Sequence, residues 1–283
     1  MQSHASVPFA ENVSGTIFRV YFSTRDAAGY SHVGEAIIDV DRPDGVLELS
    51  AQPLLSPGEL GAFDDSGAML SWICESKARE RLWYYIGWNL GVTVPFRNSI
   101  GLALQEDGSV QRVFNGPIVD RTRDEPHFTA SCCVLREGKL WRMYYLACTG
   151  WDASPAGPRH RYHIRYAESN DGMDWHRTGR VAIDFADAGE YAISRPTVLR
   201  DAGGYSMWFS ARGSHYQILH ARSSDGLAWR RTGHSGLGAS GYGWDAGMAC
   251  YPHVVDHDGR QLLFYNGDGY GRTGFGLAER PLK

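Results

Sequence analysis

Tyr162-His-Ile-Arg-Tyr-Ala-Glu-Ser-Asn-Asp-Gly-Met-Asp-Trp175 runs on to Arg177-Thr-Gly179. It returns as Gln217-Ile-Leu-His-Ala-Arg-Ser-Ser-Asp-Gly-Leu-Ala-Trp229, running on to Arg231-Thr-Gly233. Ala167, Ser169, Asp171, Gly172, Trp175 and Thr178 each have an identical partner 54 positions later, with no gap in the register. Within one copy, His163 to Glu168 is rich in residues that favour strands. Asp171-Gly172 and Asp225-Gly226 are tight-turn signals, because Gly accepts positive φ without steric cost. Trp175 and Trp229 then start a returning strand. Each copy reads as an antiparallel hairpin, and a repeat of this length built from strands marks a propeller or an array.

The same plan extends outward. Ile17 to Ser23, His32 to Val40 and Val46 to Leu49 read as strands of a first unit, preceded by a polar arm with Pro8 and Gly15. A second unit opens at Phe63 to Trp72 and continues through Arg81–Trp88, Ser99–Gln105 and Val110–Phe114. The third opens at Asp124 to Leu135 and continues with Leu140 to Tyr145, the fourth at Glu190 to Leu199 with Tyr205 to Phe209. Val134, Leu135 and Met143 match Val198, Leu199 and Met207, all 64 positions apart. The fifth opens at Trp244 to Val255, continues with Gln261 to Tyr265 and Thr273 to Ala278, and is one strand short. The expectation is an all-β, five-bladed β-propeller of four-stranded antiparallel blades, one domain over residues 1–283. The N-terminal arm is expected to complete the last blade, which would remove free edges. No segment keeps a 3.6-residue period for three turns, so no helix is expected.

Composition narrows the function classes. A net charge of −4 lacks the basic excess that nucleic-acid binding needs. No apolar run approaches a membrane span. The N-terminal residues show no signal-peptide pattern, and the five Cys (74, 132, 133, 148, 250) have no metal-like spacing. They read as reduced, mostly buried thiols of a cytoplasmic protein. The expected partner is a small-molecule or carbohydrate ligand, with no nucleic acid, membrane, cofactor or metal.

In a propeller, residues at the start of each innermost strand face one mouth of the axial channel. The matching positions here supply Asp64 and Asp65, then Asp124, Glu125 and His127, then Glu190 and Arg195, then Asp245 and Tyr251. Converging carboxylates suit glycosidic chemistry, with one as proton donor and another as nucleophile or base. The candidate catalytic set is Asp65, Glu125, Glu190 and Asp245. The candidate ligand-binding set is His127, Arg195, Tyr251, Trp88, Trp151, Arg212, His215 and Asn266. Any one carboxylate could equally cap a turn, and Trp175 and Trp229 read as packing residues.

The opening strands Phe128-Thr-Ala-Ser-Cys-Cys-Val-Leu135 and Ile193-Ser-Arg-Pro-Thr-Val-Leu199, with Arg142-Met-Tyr-Tyr145, Ser206-Met-Trp-Phe209 and Tyr166-Ala-Glu-Ser-Asn-Asp-Gly-Met-Asp-Trp175, resemble a known group. It is the five-bladed β-propeller superfamily that holds glycoside hydrolase families 32, 43, 62 and 130, and the likeness is to a cytoplasmic branch of it. The resemblance implies a site at the axis with carboxylates from different blades. Many of its members carry Asp-Pro at the start of an inner strand. Here Asp65 precedes Ser66, and the Pro-bearing strands read Ser-Arg-Pro and Cys-Tyr-Pro. Two functions are therefore expected in competition. One is a glycoside hydrolase-like enzyme acting on a small or activated sugar through those carboxylates. The other is a non-hydrolytic propeller, either a carbohydrate-binding protein or a lyase- or cyclase-type biosynthetic enzyme using the same pocket.

Overall fold

Runs of β-branched and aromatic residues become strands and the Gly-bearing pairs between them become turns. A computed structural model describes residues 2–76, 78, 80–234 and 237–282. The first unit holds β1 (Ser3–Ser14), β2 (Ile17–Arg25), β3 (Ser31–Asp39) and β4 (Val46–Leu49). The second holds β5 (Gly67–Glu75), β6 (Arg81–Leu90), β7 (Phe96–Glu106) and β8 (Ser109–Arg112). The third holds β9 (Thr129–Glu137), β10 (Leu140–Asp152), β11 (Arg159–Ser169) and β12 (His176–Ile183). The fourth holds β13 (Ala192–Asp201), β14 (Gly204–Arg212), β15 (Tyr216–Ser223) and β16 (Arg230–His234). The fifth holds β17 (Cys250–His257), β18 (Arg260–Asn266) and β19 (Phe275–Pro281). Consecutive strands within each unit pair antiparallel. The first strands meet in a cycle, β1 to β5, β5 to β9, β9 to β13, β13 to β17 and β17 back to β1. The chain is a propeller, and these five strands surround its axis. Two short helical turns, Gly243–Asp245 and Asp268–Gly271, interrupt the otherwise all-β chain.

The N-terminal segment corrects one expectation. It is the innermost strand of the first unit, running from Ser3 opposite Arg25 to Ser14 opposite Ile17. The fifth unit keeps three strands among the described residues. The ring closes there through side chains. His253 Nε2 meets the Ala10 carbonyl at 3.0 Å, and Asn266 donates to the Ala5 carbonyl at 2.8 Å while accepting from Val7 N at 2.7 Å. Phe9 then packs between Trp72 and His253, with ring centroids at 5.2 and 4.3 Å.

Pro8 disguises this strand in the sequence, and the structure shows how it is accommodated. The register of β1 shifts between Ser6 and Phe9, that of β13 between Ser194 and Thr197, that of β17 between Cys250 and His253. At each shift the residue before a proline takes positive φ: Val7 47°, Arg195 51°, Tyr251 57°. Such a bulge leaves an N–H outside the ladder. A neighbouring side-chain oxygen accepts each one: Asn266 Oδ1 for Val7, Ser131 Oγ for Arg195 at 3.0 Å, Ser210 Oγ for Tyr251 at 2.7 Å. The strained conformations cost about 1–3 kcal/mol each and all three residues sit at the axis.

The repeated hairpin docks each unit on its predecessor. Its connection is a six-residue loop (170–175 and 224–229) with Asp171 Oδ1 and Asp225 Oδ1 each accepting two backbone N–H groups. Tyr84 OH donates to the Gly172 carbonyl and Tyr144 OH to the Gly226 carbonyl, both at 2.8 Å. Gly is required at 172 and 226, since φ is 83° and 74° and a Cβ would stand 2.8 Å from those hydroxyls. Trp175 and Trp229 end these loops and pack edge-on against Tyr84 and Tyr144.

Two outcomes follow from this architecture. Trp229→Ala should lower stability by about 3 kcal/mol in denaturant unfolding, without weakening ligand binding by the folded protein. His253, 4% exposed, has its pKa lowered to about 3 by burial and then by the Arg195 charge. The unfolded chain therefore takes up that proton more readily than the folded one. Stability is full above pH ~6.5 and falls by about 1.4 kcal/mol per pH unit below it, down to pH ~3. His253→Gln should be less stable at pH 7 but show a shallower acid limb in thermal melts, and an unchanged limb would exclude this source.

Candidate functional site

The carboxylates that precede the inner strands form a repeated structural arrangement. Asp64, 1% exposed, accepts from Tyr85 OH at 3.1 Å and pairs with Arg112 at 2.7 Å. Glu125 accepts from Tyr145 OH at 2.9 Å and pairs with Arg165 and Arg177, both at 3.1 Å. Glu190 pairs with Arg231 at 2.6 Å, and that guanidinium lies over the Phe209 ring. Asp245 accepts from Tyr265 OH at 2.8 Å and from Ser240. In each case the ring stands 19 to 21 residues after the acid, on the second strand of the same unit. In the second, third and fourth units an arginine comes from the fourth strand (Arg112, Arg177 and Arg231), and Arg165 adds one from the third strand of the third unit. The acid thus pins the entry loop of a unit to its own outer edge. Asp65 stands one residue beyond the pin and caps a turn, accepting from Gly61 N and Ser66 Oγ at 3.0 Å.

A cavity of about 620 Å³ opens at one end of the axis. All five inner strands contribute to it, through Ser6 and Val7, Met69, Ala130 and Ser131, Ser194 and Arg195, and Tyr251. Its walls carry the aromatic rings of Trp88, Phe96, Phe128, Tyr162, Tyr216 and Tyr270. Its charged lining groups are Arg25, Arg195 and Arg212. Among the described residues no Asp or Glu lines it. Asp65, Glu125, Glu190 and Asp245, expected at the axial site, are not among the residues that line this cavity, and the last three meet arginine or tyrosine partners within their own units.

Of the expected ligand-binding residues, Arg195, Arg212, Tyr251 and Trp88 line the cavity. Trp151 packs behind it against Phe96 and Phe128 at 5.5 and 5.7 Å. His127 does not line it, and exposed His215 bonds only its neighbour Ser214. Asn266 is fully buried, and its amide is consumed by the ring closure and by the Gly274 carbonyl. The sequence reading missed Tyr162, Phe128, Phe96 and His160. A signal for one pair existed. Tyr162 and Tyr216 are also 54 positions apart, and their hydroxyls meet at 2.6 Å in the wall.

The protonation states follow from burial. Burial, then the Arg212 and Arg159 charges, lower the His160 pKa to about 4, so its imidazole is neutral at pH 7. Burial raises the Tyr162, Tyr216 and Tyr251 hydroxyls well above their usual value, making them proton donors. Burial pushes the Cys148 thiol up to about 11 and that of Cys132 to about 12; neutral thiols in the core are packing groups, not nucleophiles. Among the described residues no three His, Cys, Asp or Glu side chains cluster to hold a metal ion, and no helix is long and apolar enough to cross a membrane.

The pins make a clear prediction. Glu125→Gln leaves Arg165 and Arg177 without their anion and should cost about 3 kcal/mol in unfolding free energy. Ligand affinity of the folded variant should be unchanged. Normal stability with lost ligand binding or turnover would return Glu125 to the site.

No family model matches this chain. Two relatives from Mycobacterium tuberculosis, the proteins MT1551 of strain CDC 1551 / Oshkosh and Rv1502 of strain ATCC 25618 / H37Rv, are each 43% identical over 279 residues. That span is 98% of this chain and 92% of each relative. Among solved structures, a complex of BT0996 with RGII superposes with a TM-score of 0.77 at 17% identity, over 99% of this chain and 88% of that one. A structure from work on GH130 mannoside phosphorylases and glycoside hydrolases that target β-1,2 mannosidic linkages in Candida mannan gives 0.71 at 14% identity. It is matched over 99% of this chain and 86% of its own. At such identities the likeness is one of fold. The chain belongs to the family of the two mycobacterial proteins, and it shares the fold of the glycoside hydrolase structures on which it superposes.

Proposed function

We propose that the five units are the blades of one propeller domain whose axial cavity binds a carbohydrate, and that the protein does not cut glycosidic bonds with a carboxylate pair. One observation carries this reading: among the described residues, no Asp or Glu lines the aromatic cavity at the axis. Both retaining and inverting hydrolysis use two carboxyl groups ~5–9.5 Å apart across the scissile bond. Aromatic faces and hydroxyl or N–H donors are what a sugar ring and its hydroxyl groups require. Trp88, Ser194 and His160 line this cavity, and their Nε1, Oγ and Nε2 atoms are buried without a protein partner. Cytoplasmic location remains part of the proposal, supported by free thiols at all five cysteines.

A lyase-type reading has separate support. His160 is neutral at pH 7 and stacks on Tyr162 at 4.7 Å. A neutral imidazole beside protonated tyrosines places a proton acceptor and donors in one pocket.

Titration calorimetry and thermal shift with a panel of mono- and disaccharides test the binding reading. A ligand should raise the melting temperature, as binding to the folded state alone must. Tyr216→Ala should weaken binding by about tenfold, the loss of one stacking face. Aryl glycosides should release no phenol above background. Steady hydrolysis that disappears in a folded Glu190→Gln variant would restore the hydrolase, and an unsaturated sugar product would establish the lyase.

A further inference from the structure

The charges of this molecule are sorted by position. Asp64, Glu125 and Glu190 are each paired with arginine inside their units. Among the described residues, Arg25, Arg195 and Arg212 have no carboxylate within 4.0 Å. All three line the axial cavity.

Arg195 is 1% exposed and reaches across the axis. Its terminal nitrogens donate to the Ser71 carbonyl, to Ser71 Oγ at 3.3 Å and to the Pro8 carbonyl at 3.0 Å. Its Nε is buried with no partner. Arg212 donates through Nη1 to Tyr270 OH at 2.7 Å and lies over the Tyr191 and Tyr216 rings, and its Nε also lacks a partner. Every partner of both guanidinium groups is neutral. Burying a cation without an anion is costly. The unpaired groups Arg195 Nε, Arg212 Nε and Trp88 Nε1 can only donate. The cavity is thus matched to a ligand rich in acceptors and negative in charge.

We propose that the axial cavity recognises an acidic sugar, its carboxylate or phosphate seated against Arg195 and Arg212 and its ring against Trp88 and Tyr216. This rests on the carbohydrate reading above and names the class of ligand. Arg25 stands exposed at the rim, where a positive charge draws an anion toward the mouth. The same field is felt by the cavity histidines. His4 is lowered by burial and then by the Arg25 and Arg272 charges.

The test is calorimetric titration of the full chain with hexuronates, hexose 6-phosphates, the matching neutral hexoses and inorganic phosphate, at low and at high salt. An acidic sugar should bind at least about tenfold tighter than its neutral counterpart, since a hydrogen bond to a charged group contributes that much. Its affinity should fall as salt rises. Whether the uronate or the phosphate ester prevails names the anion. Arg212→Gln should erase the preference and Arg212→Lys should keep part of it. Arg195 ties three units, so Arg195→Gln is informative only with a melting curve beside it, and Arg212 carries the decisive comparison. Equal binding of neutral and acidic sugars would overturn the acidic preference and leave the carbohydrate pocket standing. Inorganic phosphate binding as tightly as the sugar phosphate would show an adventitious ion only and overturn the proposal. No binding by any sugar would overturn both readings.

Discussion

The Arg195 guanidinium is the interaction on which the ring depends. A closed ring of sheets leaves its innermost strands without a ladder partner on the axial side. Their carbonyl groups still need donors. Arg195, from the fourth unit, supplies them to Ser71 of the second and Pro8 of the first. A planar group with five donors can do this where an ammonium could not. Burial lowers its pKa to about 10, which leaves it charged at neutral pH. The contact that joins three units therefore also places a fixed cation at the base of the cavity. Closure of the fold and the electrostatics of the site share one side chain.

Much of the architecture was legible because the same physical needs recur in each unit. The 54-residue repeat predicted the strand, loop and Trp that return in the third and fourth units, and the structure adds why. Tyr84 and Tyr144 anchor the Gly172 and Gly226 loops of the following unit. The first strand was not legible. Ser3 to Ser14 carries Pro8 and little alternation, so it read as an arm. A proline is admissible there only because a bulge at Val7 removes the ladder bond that Pro8 could not make. Nothing in the local sequence announces a bulge whose free N–H is accepted by Asn266, more than 250 residues away.

The carboxylates, expected at the axis, meet arginine or tyrosine within their own units. Their recurrence at one blade position suggested convergence on the axis. Recurrence argues the other way. A catalytic pair is needed once per molecule, whereas the pin between entry loop and outer strand recurs in the second, third and fourth units. The partners were present in the same repeat, since Arg177 and Arg231 are themselves 54 positions apart and hold Glu125 and Glu190. The residues that line the cavity repeat only in part: Tyr162 and Tyr216 are repeat partners, whereas the equivalent bulges of three units carry three different side chains, Val7, Arg195 and Tyr251.

That asymmetry bears on what the fold can be used for. A propeller fold supplies an axis, and the chemistry lies in what the inner strands place there. Glycosidic hydrolysis asks for two carboxyl groups with different proton affinities. Beside unneutralised arginines both would be held as anions, and neither would remain a proton donor near pH 7. This chain pairs Asp64, Glu125 and Glu190 with arginines within their units and leaves Arg25, Arg195 and Arg212 without a carboxylate at the axial cavity. The proton donors that remain in the cavity are tyrosine hydroxyls kept protonated by burial. On the proposed reading, a cavity of this charge suits a ligand that brings negative charge itself.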